Sequence, residues 1–364
     1  MSALCIEGTS APPEIKKALR ELSKNIAFTK EDIKASNGYV FFGTNRITEK
    51  SVAVKFYYWG GKAEFHAEPK QLAQIEADSV LKIHDAALLD AKWAYFVTPN
   101  CTNGDLDEVL EATSLGNLAA IDYTYQILSG LSHLHAKRFI HRDIKPANIY
   151  ISDDNKAVIG DFGSVKRIPE GASSIPASSH SLLYRPPESI TKNSYGVVGD
   201  IYQAGIVLYQ LLGGPLPYDS RAWLSRREIE HYESITLPND QREFVDQCIR
   251  SRIVSGKVLS LSALPPWVPP NLKRLIRKAC HLESAQRFGN ASSFMAKLHD
   301  LRPSILDWQI VDGVPVLNGV ISYRIVETPN GLGVQKRVKG DWRYDNGFEG
   351  VTMEELVDEI SQRA

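Results

Sequence analysis

The chain has 364 residues, enough for one large domain or two to three smaller ones around a buried core. Its 42 Lys and Arg against 43 Asp and Glu leave a formal charge of −1, which excludes a global field that would recruit nucleic acid or an anionic lipid surface. Cys5, Cys101, Cys248 and Cys280 lie far apart without metal-binding or disulfide-framework spacing, and no charged leader or long apolar run is present, so a soluble cytoplasmic protein with reduced thiols is expected.

Pro13 suits the first turn of a helix in which Ile15, Leu19 and Leu22 share one face. From Ala35 to Tyr58 β-branched and aromatic residues dominate, punctuated by Gly38, Gly43 and Asn45, which predicts hairpin-connected strands in a small lobe. After about residue 105 the pattern turns helical, with Ile121, Tyr125, Ile127, Leu128, Leu131 and Leu134 along one helix. The apolar runs Ile149 to Ile151 and Val158 to Ile159 bracket Asp153-Asp154-Asn155, a turn signal, and predict adjacent strands. Arg221 to Leu264 reads as solvated helix, because its arginines are matched by acids. At Leu301-Arg302-Pro303 the texture changes to alternation through Ile321, Tyr323 and Ile325, with turns at Asn330-Gly331 and Asn346-Gly347. Thr352 with Glu355 forms a capping box that opens a last helix through Met353, Leu356 and Ile360.

Within the helical region His141 to Asn148 reads HRDIKPAN, and thirteen positions later stands Asp161-Phe162-Gly163. Moving the terminal phosphoryl group of a nucleotide needs a side chain to orient the attacking hydroxyl, a cation beside the phosphate, and hard oxygen ligands for Mg²⁺. Asp143, Lys145, Asn148 and Asp161 are the residue types that meet those needs. The two motifs resemble the catalytic loop and metal-binding motif of the eukaryotic-type Ser/Thr protein kinase family.

The resemblance implies roles for further positions. Val52-Ala53-Val54-Lys55 is similar to the strand whose lysine holds the α and β phosphates, with Glu68 as the partner of Lys55 on a short helix ahead of a strand at Val80-Leu81-Lys82-Ile83. The family's glycine-rich loop falls on Ile33 to Val40, where only Gly38 and Val40 match. Val40, Ala53 and Tyr150 would sandwich the adenine. Thr98 would guard the back of its pocket, Pro99 to Cys101 would form the hinge, and Asp105 would reach the ribose; connector and capping roles remain open for these. Tyr184-Arg185-Pro186-Pro187-Glu188 resembles the end of the activation segment, with Glu188 paired to Arg287 and Asp200 bracing the catalytic loop. Lys145 together with Ser181 points to Ser/Thr substrates. Ser173, Ser174, Ser178 and Ser179 are candidate phosphorylation sites facing Arg142, or serines of an unmodified linker.

The expectation is therefore an α+β, two-lobed protein kinase-like fold with a small β-rich N-lobe (about 30–100) and a larger α-helical C-lobe (about 101–302). Residues 1–29 form an N-terminal extension and 303–364 a small α+β appendage, in which Trp342, Arg343 and Tyr344 either face a partner or, as is commoner, fill the core. The expected activity is transfer of the γ-phosphoryl group of Mg-ATP, with Mn²⁺ as an alternative ion, to protein Ser/Thr hydroxyls. A pseudokinase or interaction scaffold is the alternative raised by the glycine-poor loop, and a small-molecule kinase is a third.

Overall fold

The computed structural model describes residues 3–33, 38–62, 66–177 and 181–364. The chain forms two compact units, residues 1–106 with 147–165 and residues 107–146 with 166–364. In the first, helix α1 (Pro13–Leu22) begins on a proline, whose missing N–H would be unpaired there in any case. Strands β1 (Ile26–Asp32), β2 (Tyr39–Asn45) and β3 (Ser51–Tyr58) are followed by helix α2 (Ala67–Leu72) and strands β4 (Asp85–Leu88) and β5 (Trp93–Pro99). The five strands make one sheet in the order β1-β2-β3-β5-β4, antiparallel throughout. Ile15 and Leu19 of α1 share a core with Ile26, Phe28, Phe41, Val54 and Phe56 of the sheet.

Two strands lie where composition did not place them. The sheet begins at Ile26, ahead of the Ala35 to Tyr58 stretch, because only Ile26 and Phe28 of β1 point into the core and the charged Lys30-Glu31-Asp32 follows. The strand expected at Val80 to Ile83 is not formed. Val80 makes an isolated parallel bridge to Ile159, and Leu81 N–H donates to the Ile159 carbonyl at 2.9 Å. The strand forms instead at Asp85–Leu88, whose residues are all exposed, so no apolar alternation announces it.

Past α3 (Leu106–Ala112), the second unit contains α4 (Asn117–Ala136) and β6 (Phe139–Ile140). On α4 Ile121, Ile127, Leu128, Leu131 and Leu134 are buried as expected, whereas Tyr125 is exposed because it flanks the stripe centred on Ile127 and Leu131. Residues 147–165 return to the first unit as the hairpin β7 (Ile149–Ile151) and β8 (Ala157–Ile159). The second unit resumes with β9 (Lys166–Arg167), which pairs with β6. It continues through α5 (Pro187–Thr191), α6 (Val197–Leu211), α7 (Arg226–Ser234), α8 (Pro238–Val254), α9 (Pro270–Ala279) and α10 (Ala291–Leu301). Helix α6 is buried from Gly199 to Leu211 and forms the unit's axis. The Arg221 to Leu264 stretch is largely α7 and α8, joined by an Arg252–Glu228 ion pair at 2.5 Å.

Strands β10 (Trp308–Val311), β11 (Val314–Leu317), β12 (Ser322–Thr328), β13 (Gly331–Arg337) and β14 (Arg343–Tyr344) form a second sheet in sequential order. Helix α11 (Met353–Arg363), opened by the Thr352–Glu355 capping box, covers it. Trp308, Tyr323, Ile325, Val334, Leu356 and Ile360 make the core. Trp342 and Tyr344 do not fill it. Trp342 packs against the Arg324 and Arg337 guanidinium groups at 4.7 and 4.4 Å, and Tyr344 is 59% exposed. Arg324 alternates with the inward Tyr323 and Ile325, so this aromatic pair lies on the opposite face of the sheet. Among the described residues no helix is long and apolar enough to cross a membrane. The α+β class is as expected: a β-sheet unit, a helical unit, and a C-terminal sheet with a helix.

Candidate active site

In the first unit the nucleotide-side candidates converge on β3. Lys55 Nζ donates to both oxygens of Glu68, at 2.9 and 2.8 Å. Gln71, near the end of α2, donates from Nε2 to the Val165 carbonyl at 3.0 Å and ties this helix to the residues after Asp161-Phe162-Gly163. Burial pushes the Glu68 carboxyl above its ordinary range and the Asp161 charge adds to this, while Lys55 pulls in the opposite direction. In the sheet register Val40 lies opposite Lys55, and Ala53 opposite the buried Thr98. Burial, then the Asp153 charge, pushes the Cys101 thiol up to about 11, which keeps it a poor nucleophile. Asp105 bridges Tyr150. Burial raises the Tyr150 phenol, with Asp161, Glu68 and Asp105 contributing, so it stays a neutral donor.

Of the glycine-loop positions Ile33 to Val40, Lys34 to Asn37 lie outside the described residues, and Ile33, which stands where the family has its first glycine, is exposed. Gly38 has a sheet role of its own. Its φ is 137°, and a Cβ there would run into the Phe56 carbonyl oxygen, so only glycine lets the chain enter β2 this close to β3.

The hairpin β7–β8 brings Asn148 and Asp161 near one another. The Gly160 N–H donates to the Asn148 carbonyl at 2.9 Å, and Asp161 is the next residue. Asp161 takes φ 49° and ψ 76°, a left-handed conformation uncommon outside glycine, and its Oδ1 accepts from Gly163 N–H at 3.4 Å. A carboxylate and an amide oxygen fit a hard divalent cation. Among the described residues no cluster of three His, Cys, Asp or Glu could hold a metal alone. The donor set therefore suits an ion that completes its shell with phosphate oxygens and water.

In the second unit Lys145 Nζ lies 3.0 Å from Asp143 Oδ2 and donates to Ser181 Oγ at 2.8 Å. Burial alone would push Asp143 up, but Lys145, the Ser181 hydroxyl and His141 hold it below the usual carboxylate range. It is ionised at neutral pH. The loop that carries it is fixed by α6. The fully buried Asp200 accepts from His141 N–H (2.9 Å), Arg142 N–H (2.8 Å), His135 Nε2 (2.8 Å) and Tyr195 O–H (3.1 Å). One helical turn on, Gln203 Oε1 accepts from Ile144 N–H at 2.9 Å. Burial pushes Asp200 up, yet His135 and the loop N–H groups hold it below its ordinary value. A depressed folded value means that this stabilisation is present above the unfolded carboxyl pKa of about 3.9 and is lost as the pH falls through the folded one. Asp200→Asn is expected to flatten the acid-side fall of the urea midpoint as the pH drops below the unfolded carboxyl value of about 3.9, and an unchanged acid limb would contradict this.

Residues 34–299 match the family described as "Protein kinase domain". The chain belongs to the protein kinase family. Among curated relatives, this protein kinase is similar to a "3-phosphoinositide-dependent protein kinase B" of Dictyostelium discoideum, with 28% identity over 50% of this chain and 22% of that protein. It is similar to an "Aurora kinase" of Debaryomyces hansenii, with 38% identity over 36% of this chain and 32% of that protein. With "3-phosphoinositide-dependent protein kinase 1" of Arabidopsis thaliana it shares 31% identity over 49% of this chain and 39% of that protein. The chain thus spans well under half the length of these relatives. The family match ends before β10–β14 and α11.

The remaining sequence candidates of this protein kinase are placed as follows. Glu188 and Arg287 form a bidentate pair at 2.7 Å in each arm. Ser173 is exposed and Ser174 accepts from Ser194 Oγ at 2.9 Å, while Ser178 and Ser179 lie outside the described residues. Arg142 donates from its guanidinium to the Pro176 carbonyl at 3.4 Å. Sequence reasoning missed Gln203, His135 and Tyr195. Gln203 had a signal: a polar residue one turn beyond Asp200 on a largely apolar helix stands on the same face.

Proposed function

We propose that the chain transfers the γ-phosphoryl group of Mg-ATP to Ser and Thr hydroxyls of proteins. The observation that carries this reading is the Asp143–Lys145–Ser181 arrangement: an ionised carboxylate, a cation and a small hydroxyl within hydrogen-bond reach of one another. Asp143 orients the substrate hydroxyl and accepts its proton as the oxygen attacks the γ-phosphorus; the bond to the β–γ bridging oxygen breaks and ADP leaves. Lys145 offsets charge on the moving group, and Ser181 holds Lys145 in place. Lys55, steadied by Glu68, holds the α and β phosphates. Val40, Ala53 and Tyr150 enclose the adenine, Thr98 and Cys101 line its edge, Asp105 meets the ribose, and Gly38 admits the phosphate loop. Asn148 and Asp161 hold Mg²⁺, or Mn²⁺ in its place, which when bound neutralises phosphate charge.

The free cysteines support a cytoplasmic setting. Residues 303–364, outside the family match, are assigned here as an appendage of the second unit that meets a partner protein. Purified protein incubated with labelled ATP, Mg²⁺ and a cell lysate is expected to label proteins on Ser or Thr after phosphoamino-acid analysis. Label confined to small molecules, or no label despite nucleotide binding, would sink the reading.

A further inference from the structure

Helix α2 carries Glu68 yet has little to hold it in place by itself. It has six residues, far below the length at which a helix persists alone, and among the described residues no side chain caps its N-terminus. Its orientation must come from tertiary contacts. Gln71 secures the C-terminal end. At the N-terminal end, Tyr57 O–H lies 2.6 Å from Nδ1 of His66, the residue immediately before the helix.

The arrangement has a repeat. Lys55 and Tyr57 are two apart on β3 and so project to the same face. His66 and Glu68 are two apart at the start of α2. Tyr57–His66 and Lys55–Glu68 are therefore two contacts from one face of the strand to the same helix end. The Tyr57–His66 contact is itself enclosed: the His66 ring lies 5.0 Å from the Trp59 ring and edge-on to Tyr57, with ring centroids 5.7 Å apart, and Trp59 Nε1 donates to the Asp90 carbonyl at 3.0 Å. Tyr57 is buried. Its phenol, raised to about 12 by burial and then by the Glu68 charge, stays protonated and so is able to donate to the imidazole nitrogen 2.6 Å away.

We propose that the Tyr57–His66 hydrogen bond is a second latch that positions Glu68 against Lys55, making Tyr57 and His66 positioning residues for phosphoryl transfer. The proposal rests on the kinase reading above. It assigns to two side chains outside the family's motifs the task of aligning the short helix.

Tyr57→Phe removes one oxygen and keeps the ring. It is expected to lower kcat about two- to thirteenfold, the range for losing one neutral hydrogen bond, with the KM for protein substrate unchanged and backbone amides of residues 67–72 exchanging faster with deuterium. His66→Ala should do the same. His66→Asn, whose side-chain oxygen can accept at a similar reach, should recover most of the rate. The double variant Tyr57→Phe with His66→Ala should be no slower than the worse single variant. Unchanged exchange at residues 67–72 in Tyr57→Phe would overturn the latch, as would losses that multiply in the double variant. If the parent protein transfers no phosphoryl group, the kinase reading fails, while the exchange measurement still decides the latch.

Discussion

Asp143→Ala is expected to lower phosphoryl transfer by about 10²–10⁴-fold while nucleotide affinity stays near that of the parent protein. The separation follows from where the groups stand. Lys55, Glu68, Val40, Ala53 and Thr98 belong to one sheet and its adjoining helix, and none of them depends on Asp143 for position. The loop that carries Asp143 is anchored through backbone N–H groups to Asp200 and Gln203, so removing this side chain leaves the anchors in place. Lys145 keeps its bond to Ser181. Single-turnover transfer of labelled phosphate and a separate calorimetric titration with nucleotide measure the two properties, with thermal denaturation checking the fold. Transfer at the parent rate would remove Asp143 from the proposed chemistry; lost nucleotide binding would mean that the two properties are not separable.

Arg287→Ala should destabilise the helical unit by about 3–5 kcal/mol. The Arg287 side chain is fully buried, pairs through both terminal nitrogens with Glu188, and donates to the His281, Val198 and Leu282 carbonyls at 2.8, 3.1 and 3.3 Å. Truncation leaves three carbonyls short of a donor and the 12% exposed Glu188 side chain without its counter-charge. At about 2–4 °C per kcal/mol for a domain of this size, Tm should fall by about 6–20 °C. Arg287→Met combined with Glu188→Leu removes both charges together and should recover much of the loss. Scanning calorimetry decides it: a single variant that melts with the parent, or a double variant less stable than the single one, would contradict this account.

What the sequence made legible was chemistry held in short, contiguous stretches. HRDIKPAN and Asp161-Phe162-Gly163 could be read because each group's role is set by residue type and close spacing. The Lys55–Glu68 pair could be anticipated because the resemblance gives the strand lysine a carboxylate partner and Glu68 offers one. The brace beneath the loop was only half visible: Asp200 was expected, whereas Gln203, His135 and Tyr195 come together only through the packing of α4, α6 and the segment before α6. Strand β4 could not be read at all, since its exposed residues owe their conformation to backbone pairing with β5. Trp342 misled for a related reason. An aromatic in a small module usually fills the core, but the sheet register put Arg324 and Arg337 on the face where Trp342 stacks.

The shared core of α1 and β1 with the first sheet bears on how the recognisable kinase region relates to what folds. The family match starts at residue 34, two residues after β1 has ended. A fragment trimmed to the match would leave β2 as a bare outer strand and strip the cover from Phe41 and Val54, offering other chains a greasy template for pairing. For this chain the cooperative folding unit is longer than its evolutionary signature, and the first thirty residues are scaffold.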